Sequence, residues 1–460
     1  MKKVLPLLVL LPSFLLAEDK GKRQPLDKTI LSPAIWGMSL EEIQKTHEIK
    51  GAKSDTREIP EELRKQLKEK GIDISEVGGS SGGFEWLSSA KQGLRAPAGI
   101  YSLLGMNVGE VNLRSSDGKL ANGSVSLYNR GDDGEIRTDE YQTRLGDWKS
   151  ALDEALKVRA SDRSKAGAVN VDGWMWKKGD TAFLLEGSVT KKTNRVEFIR
   201  LRLASVRSTH HDKRVKSRGS LDDNLIEKNG DVYIGNIPMV DQGQKGYCVV
   251  ASVERVARYY GLDVDQHELA QLANTDNNGT TGDDMEKAFK KLTGKLHVRT
   301  MKLMDYDYRQ VVSDYKAYNR EATKINKAVE SEGTGDKVKE FDINLRTHRI
   351  LPQGFWYQLD KDTFKVVKKD QAKYRFFKDK IESFVDEGVP ICWTLYLGMF
   401  PEKGLPQSFG GHMRLIVGYN EEKEEILYTD SWGEGHGMKR MSMVEAWCMT
   451  MGVYAMVPNR

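Results

Sequence analysis

The sequence predicts an α+β protein of two domains, and three observations support that prediction. The chain has 460 residues, more than one hydrophobic core usually serves. Segments of helical periodicity and segments of alternating apolar residues occur in both halves of the chain. Between the halves, residues 206–225 are basic and polar, as in an interdomain linker. We therefore place a smaller α+β domain at residues 31–205 and a second domain at residues 226–460.

The first 17 residues have the order of charge and apolarity found in a secretory signal peptide. Lys2 and Lys3 precede the apolar stretch 4–16, and Ala17 stands before three charged residues. This stretch is too short to cross a membrane as a helix, and no later stretch approaches the required length. We expect export to the periplasm or the extracellular space, no membrane span, and a flexible start at residues 18–30. An uncleaved anchor in the membrane interface is the alternative.

The charge and cysteine content exclude some classes of function. The chain has 71 Lys and Arg residues against 67 Asp and Glu residues, a net charge of +4, which favours neither a nucleic acid nor a strongly acidic partner. Three cysteines in an exported chain of this length do not make a disulfide framework. Residues 210–212 (His-His-Asp) are more typical of a solvated linker than of a metal site. Residues 132–134 (Asp-Asp-Gly) indicate a turn, because the other ligands of a calcium loop are missing.

The N-terminal domain is predicted to contain helices and two groups of strands. Ser39 and Glu42 form a capping-box pattern that predicts a short helix through Gln44, and the Gly- and Ser-rich end of residues 50–82 indicates a loop. The further elements expected are a hairpin of strands 108–113 and 120–128 around the turn 116–118, a helix over about 139–158, and a meander of strands 173–176, 181–189 and 195–203. This order of elements predicts an α+β domain whose family we do not identify.

Cys248 is the candidate nucleophile of the C-terminal domain. Apolar residues recur at helical spacing from Val249 to Tyr260, and Gly261 follows as a C-cap, so a helix is predicted to begin at Cys248. The free N–H groups and the positive dipole end of a helix start favour a thiolate, the reactive form of cysteine. Gln242 precedes Cys248 on a glycine-rich loop, from which its amide can donate to an oxyanion beside the Cys248 N–H.

His412 is the candidate general base, because it differs from the other seven histidines in its surroundings. It follows Gly410 and Gly411 and begins an apolar run that predicts a strand. A second predicted strand, 425–428, leads into Asp430, where a hairpin partner would place a carboxylate beside the imidazole ring. A lone cysteine or histidine in such a setting is more often a core residue, so the argument depends on their joint occurrence.

Three motifs together resemble the papain-like cysteine peptidase superfamily. In chain order they are Pro-x-x-x-Gln-Gly-x-x-Gly-x-Cys at 238–248, His-x5-Gly-Tyr at 412–419 and Asp-Ser-Trp-Gly at 430–433. The continuation of the first motif, through His267-Glu-Leu-Ala and Gly279-Thr-Thr-Gly, is similar to the C39-like bacterial branch. The resemblance covers about 235–460 and implies a papain-like fold, with a helical half followed by a β-rich half.

The resemblance also implies a role for each matching residue. Cys248 is expected to be the nucleophile, His412 the base and acid, Asp430 the group that orients His412, and Gln242 the oxyanion donor. Trp432 is expected to shield the contact between His412 and Asp430 from water. No metal or organic cofactor is implied.

The chain departs from the classical members of the superfamily at two places. Tyr247 and Val249 flank the nucleophile where plant and lysosomal members commonly have Ser and Trp, and Asp430 replaces their usual Asn. The expected roles are unaffected, but the substrate cannot be inferred from those members.

The remainder of the C-terminal domain is predicted from composition. Residues 305–350 are highly charged and helical in composition, which favours a solvated helical insertion over a lid or a substrate-contacting element. Residues 376–387 indicate an amphipathic helix, and residues 389–397 a buried strand. Cys392 and Cys448 have apolar neighbours and are expected to be inert core thiols, although a disulfide between them stays open.

We therefore predict an exported thiol hydrolase that cleaves amide bonds of a peptide or protein substrate through an acyl-enzyme. One alternative is a transglutaminase-like acyl transferase, in which an amine replaces water as the acceptor. The other is a catalytically degenerate peptidase fold that binds ligands in a groove. The role of residues 31–205 stays open between regulation of the enzyme and binding of a substrate or cell-surface component.

Overall fold

The computed structural model describes most of the chain outside the N-terminal segment. The described ranges are 23–49, 83–116, 119–166, 169–206, 218–243, 245–262, 264–276, 279–296, 298–344, 348–350, 352–402 and 410–459. The predicted signal peptide, the predicted loop 50–82, the His-His-Asp segment and most of the predicted linker lie outside these residues.

The N-terminal region is built on an antiparallel sheet of eight strands in the order β2-β3-β6-β7-β11-β10-β9-β8, and β1, β4 and β5 form a small separate sheet. The strands are β1 (Gln24–Pro25), β2 (Glu85–Trp86), β3 (Gly93–Ala96), β4 (Tyr101–Leu103), β5 (Met106–Asn107), β6 (Val111–Ser116), β7 (Lys119–Asn129), β8 (Ser161–Asp162), β9 (Val171–Lys178), β10 (Thr181–Thr190) and β11 (Arg195–Ser205). The predicted hairpin is β6 and β7, and the predicted meander is β9, β10 and β11.

In the described residues, four helices accompany these strands. They are α1 (Asp27–Ile30), α2 (Leu40–Thr46), α3 (Arg130–Asp133) and α4 (Thr138–Leu156). Ser39 caps α2 in the predicted capping box with Glu42. The helix α4 packs its apolar side against the sheet through residues such as Tyr141 and Leu152, which confirms the predicted helix at 139–158.

The N-terminal region differs from the sequence prediction at two points. Residues 23–30, assigned to a flexible start, contain β1 and α1, because Leu26 and Ile30 are fully buried in the N-terminal core. Residues 132–134, predicted as a turn, end the short helix α3, and Gly134 follows it with a φ of 79°.

The C-terminal region contains eight helices in the described residues. They are α5 (Cys248–Tyr259), α6 (Gln266–Ala273), α7 (Gly282–Leu296), α8 (Tyr308–Glu332), α9 (Pro352–Trp356), α10 (Lys361–Lys369), α11 (Ala372–Asp386) and α12 (Met443–Met449). The predicted amphipathic helix at 376–387 is α11. The α5 helix ends as predicted, since Gly261 follows it with a φ of 84° and the Leu262 N–H donates back to the Ala257 carbonyl.

The C-terminal region is built on a second antiparallel sheet, whose strands follow the order β12-β13-β16-β15-β19-β14. In addition, β17 pairs with β16, and β18 pairs with β17. Its strands are β12 (Leu225–Lys228), β13 (Asp231–Ile234), β14 (Val298–Asp305), β15 (Ile391–Leu397), β16 (Gly410–Asn420), β17 (Glu425–Thr429), β18 (Lys439–Ser442) and β19 (Thr450–Pro458). The strands predicted at 389–397, after His412 and at 425–428 are β15, β16 and β17. Helices and sheets in both regions confirm the predicted α+β class.

The charged stretch 305–350 is helical as predicted, but only one side of it is solvated. The α8 helix buries Tyr315, Tyr318 and Ala322 in the C-terminal core, and residues 333–344 run back along it. Asp314 is also fully buried and forms an ion pair with Lys368 of α10 at 2.9 Å. This packing could not be predicted from composition, because the buried apolar residues of the helix are separated by many charged residues.

The two regions share part of their interior. Val169, Val171 and Phe198, from the N-terminal region, belong to the same buried apolar cluster as the nucleophile helix. Residues 218–225, assigned to the linker, form two short 3-10 turns and the start of β12, and Leu221 among them is fully buried. The domain boundary itself stays a prediction. No helix in the described ranges is long and apolar enough to cross a membrane.

Candidate active site

Cys248 is the first residue of α5, as the sequence predicts. The helix packs against β16, and the Ser252 hydroxyl lies 3.5 Å from the Met413 carbonyl oxygen. The backbone of Val249, at the helix start, and that of Met413, on β16, both act to lower the pKa of the Cys248 thiol. Cys248 as a whole residue is partly exposed.

His412 lies on β16 and faces Cys248 across the junction between helix and sheet. The charge of its ring lowers the pKa of the Cys248 thiol, and its Nε2 atom lies 2.9 Å from Asp430 Oδ1. The strand β17 pairs with β16 and ends at Thr429, so Asp430 comes directly after it on the neighbouring strand. The structure therefore brings Cys248, His412 and Asp430 into one chain of contacts.

The electrostatic interactions among Cys248, His412 and Asp430 favour a charged thiolate–imidazolium pair. Burial tends to lower the pKa of His412, but its hydrogen bonds to Asp430 and Cys248 outweigh burial and raise the pKa to about 9. Burial tends to raise the pKa of the Cys248 thiol, but the hydrogen bond and charge of His412 leave it below its usual value. The thiol can therefore lose its proton while the ring still holds one.

Asp430 is held by a second cation that the sequence analysis did not single out. Arg414 lies two residues after His412 on β16, so both side chains are on one face of the sheet. Its Nε atom donates to Asp430 Oδ1 at 2.8 Å, and its Nη1 atom lies 2.9 Å from Glu402. Burial tends to raise the pKa of Asp430, but His412 and Arg414 together lower it to about 2. The carboxylate is therefore ionised at all ordinary pH values.

Arg255 connects the nucleophile helix to the strand end that carries Asp430. It lies on α5, is almost fully buried, and donates to the Asp430 carbonyl oxygen and the Thr429 hydroxyl, both at 2.7 Å. Its Nε atom donates to the Pro238 carbonyl at 2.8 Å. These bonds fix the distance between the helix and the Asp430 backbone, and a helical Arg among apolar residues gave no sequence signal for this role.

Trp432, expected to shield the contact between His412 and Asp430 from water, stacks on the His412 ring. The two ring centroids are 4.5 Å apart and the planes are nearly parallel, at 21°. The His436 ring contacts Trp432 edge-on, with the two ring centroids 5.5 Å apart. Burial lowers the pKa of His436 to about 4, so this second histidine is neutral near neutral pH. The indole covers the face of the His412 ring.

Gln242 lies beside Asp430, in the loop before α5. Its N–H donates to the Ser431 carbonyl at 2.8 Å, and its Oε1 atom accepts from the Ser431 hydroxyl at 2.8 Å. Its Nε2 atom donates to the Lys245 carbonyl at 3.2 Å. Because Nε2 carries two hydrogens, one remains for another acceptor.

Cys392 and Cys448 are both buried and both free thiols, so the structure contains no disulfide between them. Burial raises the pKa of each thiol to about 12. They are therefore protonated and unreactive under conditions in which Cys248 ionises.

Comparisons with known families agree with this geometry. Residues 236–318 match the Peptidase C39 family, and residues 310–454 match the Peptidase_C39 like family. The first match contains Gln242 and Cys248, and the second contains His412 and Asp430.

Among solved structures, the chain is similar to the peptidase domain of Streptococcus ComA, described as a bi-functional ABC transporter involved in a quorum-sensing pathway. The sequence identity is 13%, the TM-score is 0.23, and the alignment covers 48% of this chain and 99% of that one. No curated protein sequence matches this chain. On the strength of the two family matches, the C-terminal region of this protein, residues 236–454, is a C39-like cysteine peptidase of the papain-like superfamily.

Proposed function

We propose that the protein is an exported peptidase that hydrolyses peptide bonds through a Cys-His-Asp site and an acyl-enzyme. The observation that supports this most directly is that the His412 ring lowers the pKa of the Cys248 thiol and has its Nε2 atom 2.9 Å from Asp430 Oδ1. A nucleophile, a base and an orienting group in this order are what covalent acyl transfer requires.

The proposed reaction uses these residues in sequence. The Cys248 thiolate attacks the scissile carbonyl carbon, and the developing oxyanion accepts hydrogen bonds from the Cys248 N–H and the remaining Nε2 hydrogen of Gln242. The His412 imidazolium then protonates the leaving amine, and the acyl group stays on the sulfur as a thioester. Neutral His412 next takes a proton from water, which attacks the thioester and releases the acid.

Labelling of the cysteines tests the nucleophile. Incubation with limiting iodoacetamide or an epoxide probe, followed by peptide mapping, should modify Cys248 and leave Cys392 and Cys448 unmodified, because burial holds those two thiols protonated. The Cys248→Ala variant should lose peptide hydrolysis and keep its melting temperature. Label on the other two cysteines alone, or unchanged turnover in a folded Cys248→Ala protein, would contradict the assignment.

A product assay with the same purified protein distinguishes hydrolysis from acyl transfer. Reaction products formed in the presence of excess primary amine should carry a free carboxylate, as seen by mass spectrometry. Amine-capped products would favour a transglutaminase-like transferase, and a labelled protein without turnover on any peptide library would favour a binding role.

Export is supported by the N-terminal residues alone, with Lys2, Lys3 and the apolar stretch 4–16 followed by Ala17. Expression of the full chain in a bacterial host, cell fractionation and N-terminal sequencing test it. A mature chain that begins at Glu18 in the periplasm or medium is expected, and an intact N-terminus in the cytoplasm would exclude export.

A further inference from the structure

The loop that carries Gln242, residues 241–243 and 245–247 in the described chain, rests on the N-terminal region and not only on the peptidase domain. Lys245 sits at its centre with a side chain only 1% exposed. The ammonium group lies 2.7 Å from Asp132 and 3.4 Å from Glu110, both in the N-terminal region. An ammonium is buried in a protein interior only where carboxylates pair with it, so these two residues fix the position of Lys245.

Two further contacts hold the ends of the same loop, which we call the nucleophile loop. At its start, Asp241 forms an ion pair with Arg95 at 3.2 Å, and Arg95 also binds Glu110 at 3.0 Å. At its end, the Tyr247 hydroxyl donates to Asn129 Oδ1 at 3.2 Å. Every one of these partners lies in the N-terminal region, between β3 and α3.

The packing at this contact is close as well as charged. A Cβ atom on Gly131, at the start of α3, would lie 2.6 Å from the Tyr247 hydroxyl oxygen. Gly243 has a φ of 70°, and a Cβ atom there would lie 2.9 Å from an Arg95 nitrogen. Gly131 therefore allows the two regions to approach this closely, and the positive φ at position 243 favours glycine there.

The contact between the two regions affects Gln242 through the backbone carbonyl of Lys245. Its carbonyl accepts the hydrogen bond from Gln242 Nε2 at 3.2 Å and the N–H of Tyr247 at 2.7 Å. The other end of the Gln242 amide is fixed by the Ser431 hydroxyl. The direction of the remaining Nε2 hydrogen is thus set by where Lys245 is held.

We propose that the N-terminal region is a permanent part of the active site, in which Glu110 and Asp132 hold Lys245 so that Gln242 points its amide at the oxyanion. Lys245 is then a positioning residue, and the inference rests on the proposed function of Gln242. It also selects between the roles left open for residues 31–205, because a domain that shapes the oxyanion site activates the enzyme and does not block it.

The test compares Lys245→Met with wild type in the full-length protein. Methionine fills the same space without the charge, Glu110 keeps Arg95, and Asp132 is partly exposed, so the fold is expected to survive. One oxyanion donor contributes about 10²–10³-fold to kcat, so misdirecting Gln242 should lower kcat at least about tenfold with little change in KM. The affinity of a reversible peptide aldehyde, whose hemithioacetal oxygen uses the same donor, should fall by a similar factor.

The alkylation of Cys248 by iodoacetamide supplies a readout that uses no oxyanion donor. Its rate and pH profile should be the same in Lys245→Met and wild type, because the thiolate–imidazolium pair is unaltered. Arg195→Met is the matched control: Arg195 crosses the same boundary, to Asn274 Oδ1 at 2.6 Å, but far along the chain from the nucleophile loop. Its kcat should change less than about twofold.

If Lys245→Met does not fold, Asp132→Asn decides by the same criterion, since it removes one partner charge and keeps the shape. Unchanged kcat and aldehyde affinity in the folded variant would overturn the inference, as would an equal loss in the Arg195→Met control. A wild-type protein that is alkylated at Cys248 but cleaves no peptide would instead overturn the proposed function, and the aldehyde affinities would still test the role of Lys245.

Discussion

Replacement of Asp430 by Asn is expected to preserve hydrolysis and to move its alkaline limit to lower pH. The wild-type imidazolium of His412 persists to about pH 9, partly because Asp430 lies 2.9 Å from its Nε2 atom. An opposite charge at such a distance raises the pKa of a histidine by about 1–3 units. Without that charge, the pKa of His412 falls by about this amount, and activity that needs the protonated ring is lost from the alkaline side.

The geometry explains why Asn should serve where Ala does not. Asp430 uses one oxygen, Oδ1, to accept from both His412 and Arg414, while Oδ2 has no hydrogen-bond partner in the described part of the chain. An Asn carbonyl can accept the same two bonds, and Arg414 keeps Glu402 at 2.9 Å as a charge partner. Ala removes both bonds, so kcat/KM should fall about 10²-fold or more.

The assay is kcat/KM for a cleaved fluorogenic peptide, measured from acidic to alkaline pH for wild type, Asp430→Asn and Asp430→Ala. The iodoacetamide rate of each protein over the same range reports the ionised pair directly. The reasoning is refuted if the alkaline limit of Asp430→Asn stays level or rises, or if a folded Asp430→Ala protein is as active as wild type.

Three further changes test other parts of the structure. Arg414→Met removes the cation that competes with His412 for Asp430, so the pKa of His412 should rise and the alkaline limit of kcat/KM should move up, opposite to Asp430→Asn; a downward shift would contradict this. Lys368→Met removes the charge partner of the fully buried Asp314, which keeps hydrogen bonds from Tyr306, Gln310 and Gln371, and should lower the free energy of unfolding in urea by about 3 kcal/mol. Lys369→Met, at the exposed neighbouring position, should lower it by less than about 1 kcal/mol; equal losses would contradict the pairing. Limited trypsin digestion should cut first within 206–225, because this run is basic and polar, and activity should stay level after the cut; first cuts inside either folded region would refute the boundary, and a rise in activity would indicate an inhibitory pro-region.

The elements predicted correctly are those whose signal is local. The capping box at Ser39, the alternation of β6 and β7 and the helical spacing after Cys248 each lie within about a dozen residues. The β14 strand was missed because charged residues such as Arg299 and Lys302 interrupt it, and its pairing partner, β19, comes about 150 residues later.

The active-site residues that belong to sequence motifs could be predicted. Those that are identified only by contacts between distant parts of the chain could not. Cys248, His412, Asp430 and Gln242 stand in recognisable patterns; the structure brings the first three together and binds Gln242 to Ser431, the residue after Asp430. Asp132 looked like an ordinary turn residue, since nothing near it in sequence indicates a partner 113 positions away. Long-range ion pairs leave no periodic trace in a single sequence.

The separation of the reactive groups along the chain has a consequence for biosynthesis. Cys248 leaves the ribosome well before His412 and Asp430, which lie on strands that can form only when the C-terminal sheet assembles. Until then the thiol has no imidazolium beside it and keeps the low reactivity of an ordinary cysteine. A nascent or unfolded chain therefore lacks the reactive pair, and proteolytic capacity arises only when the C-terminal sheet has assembled.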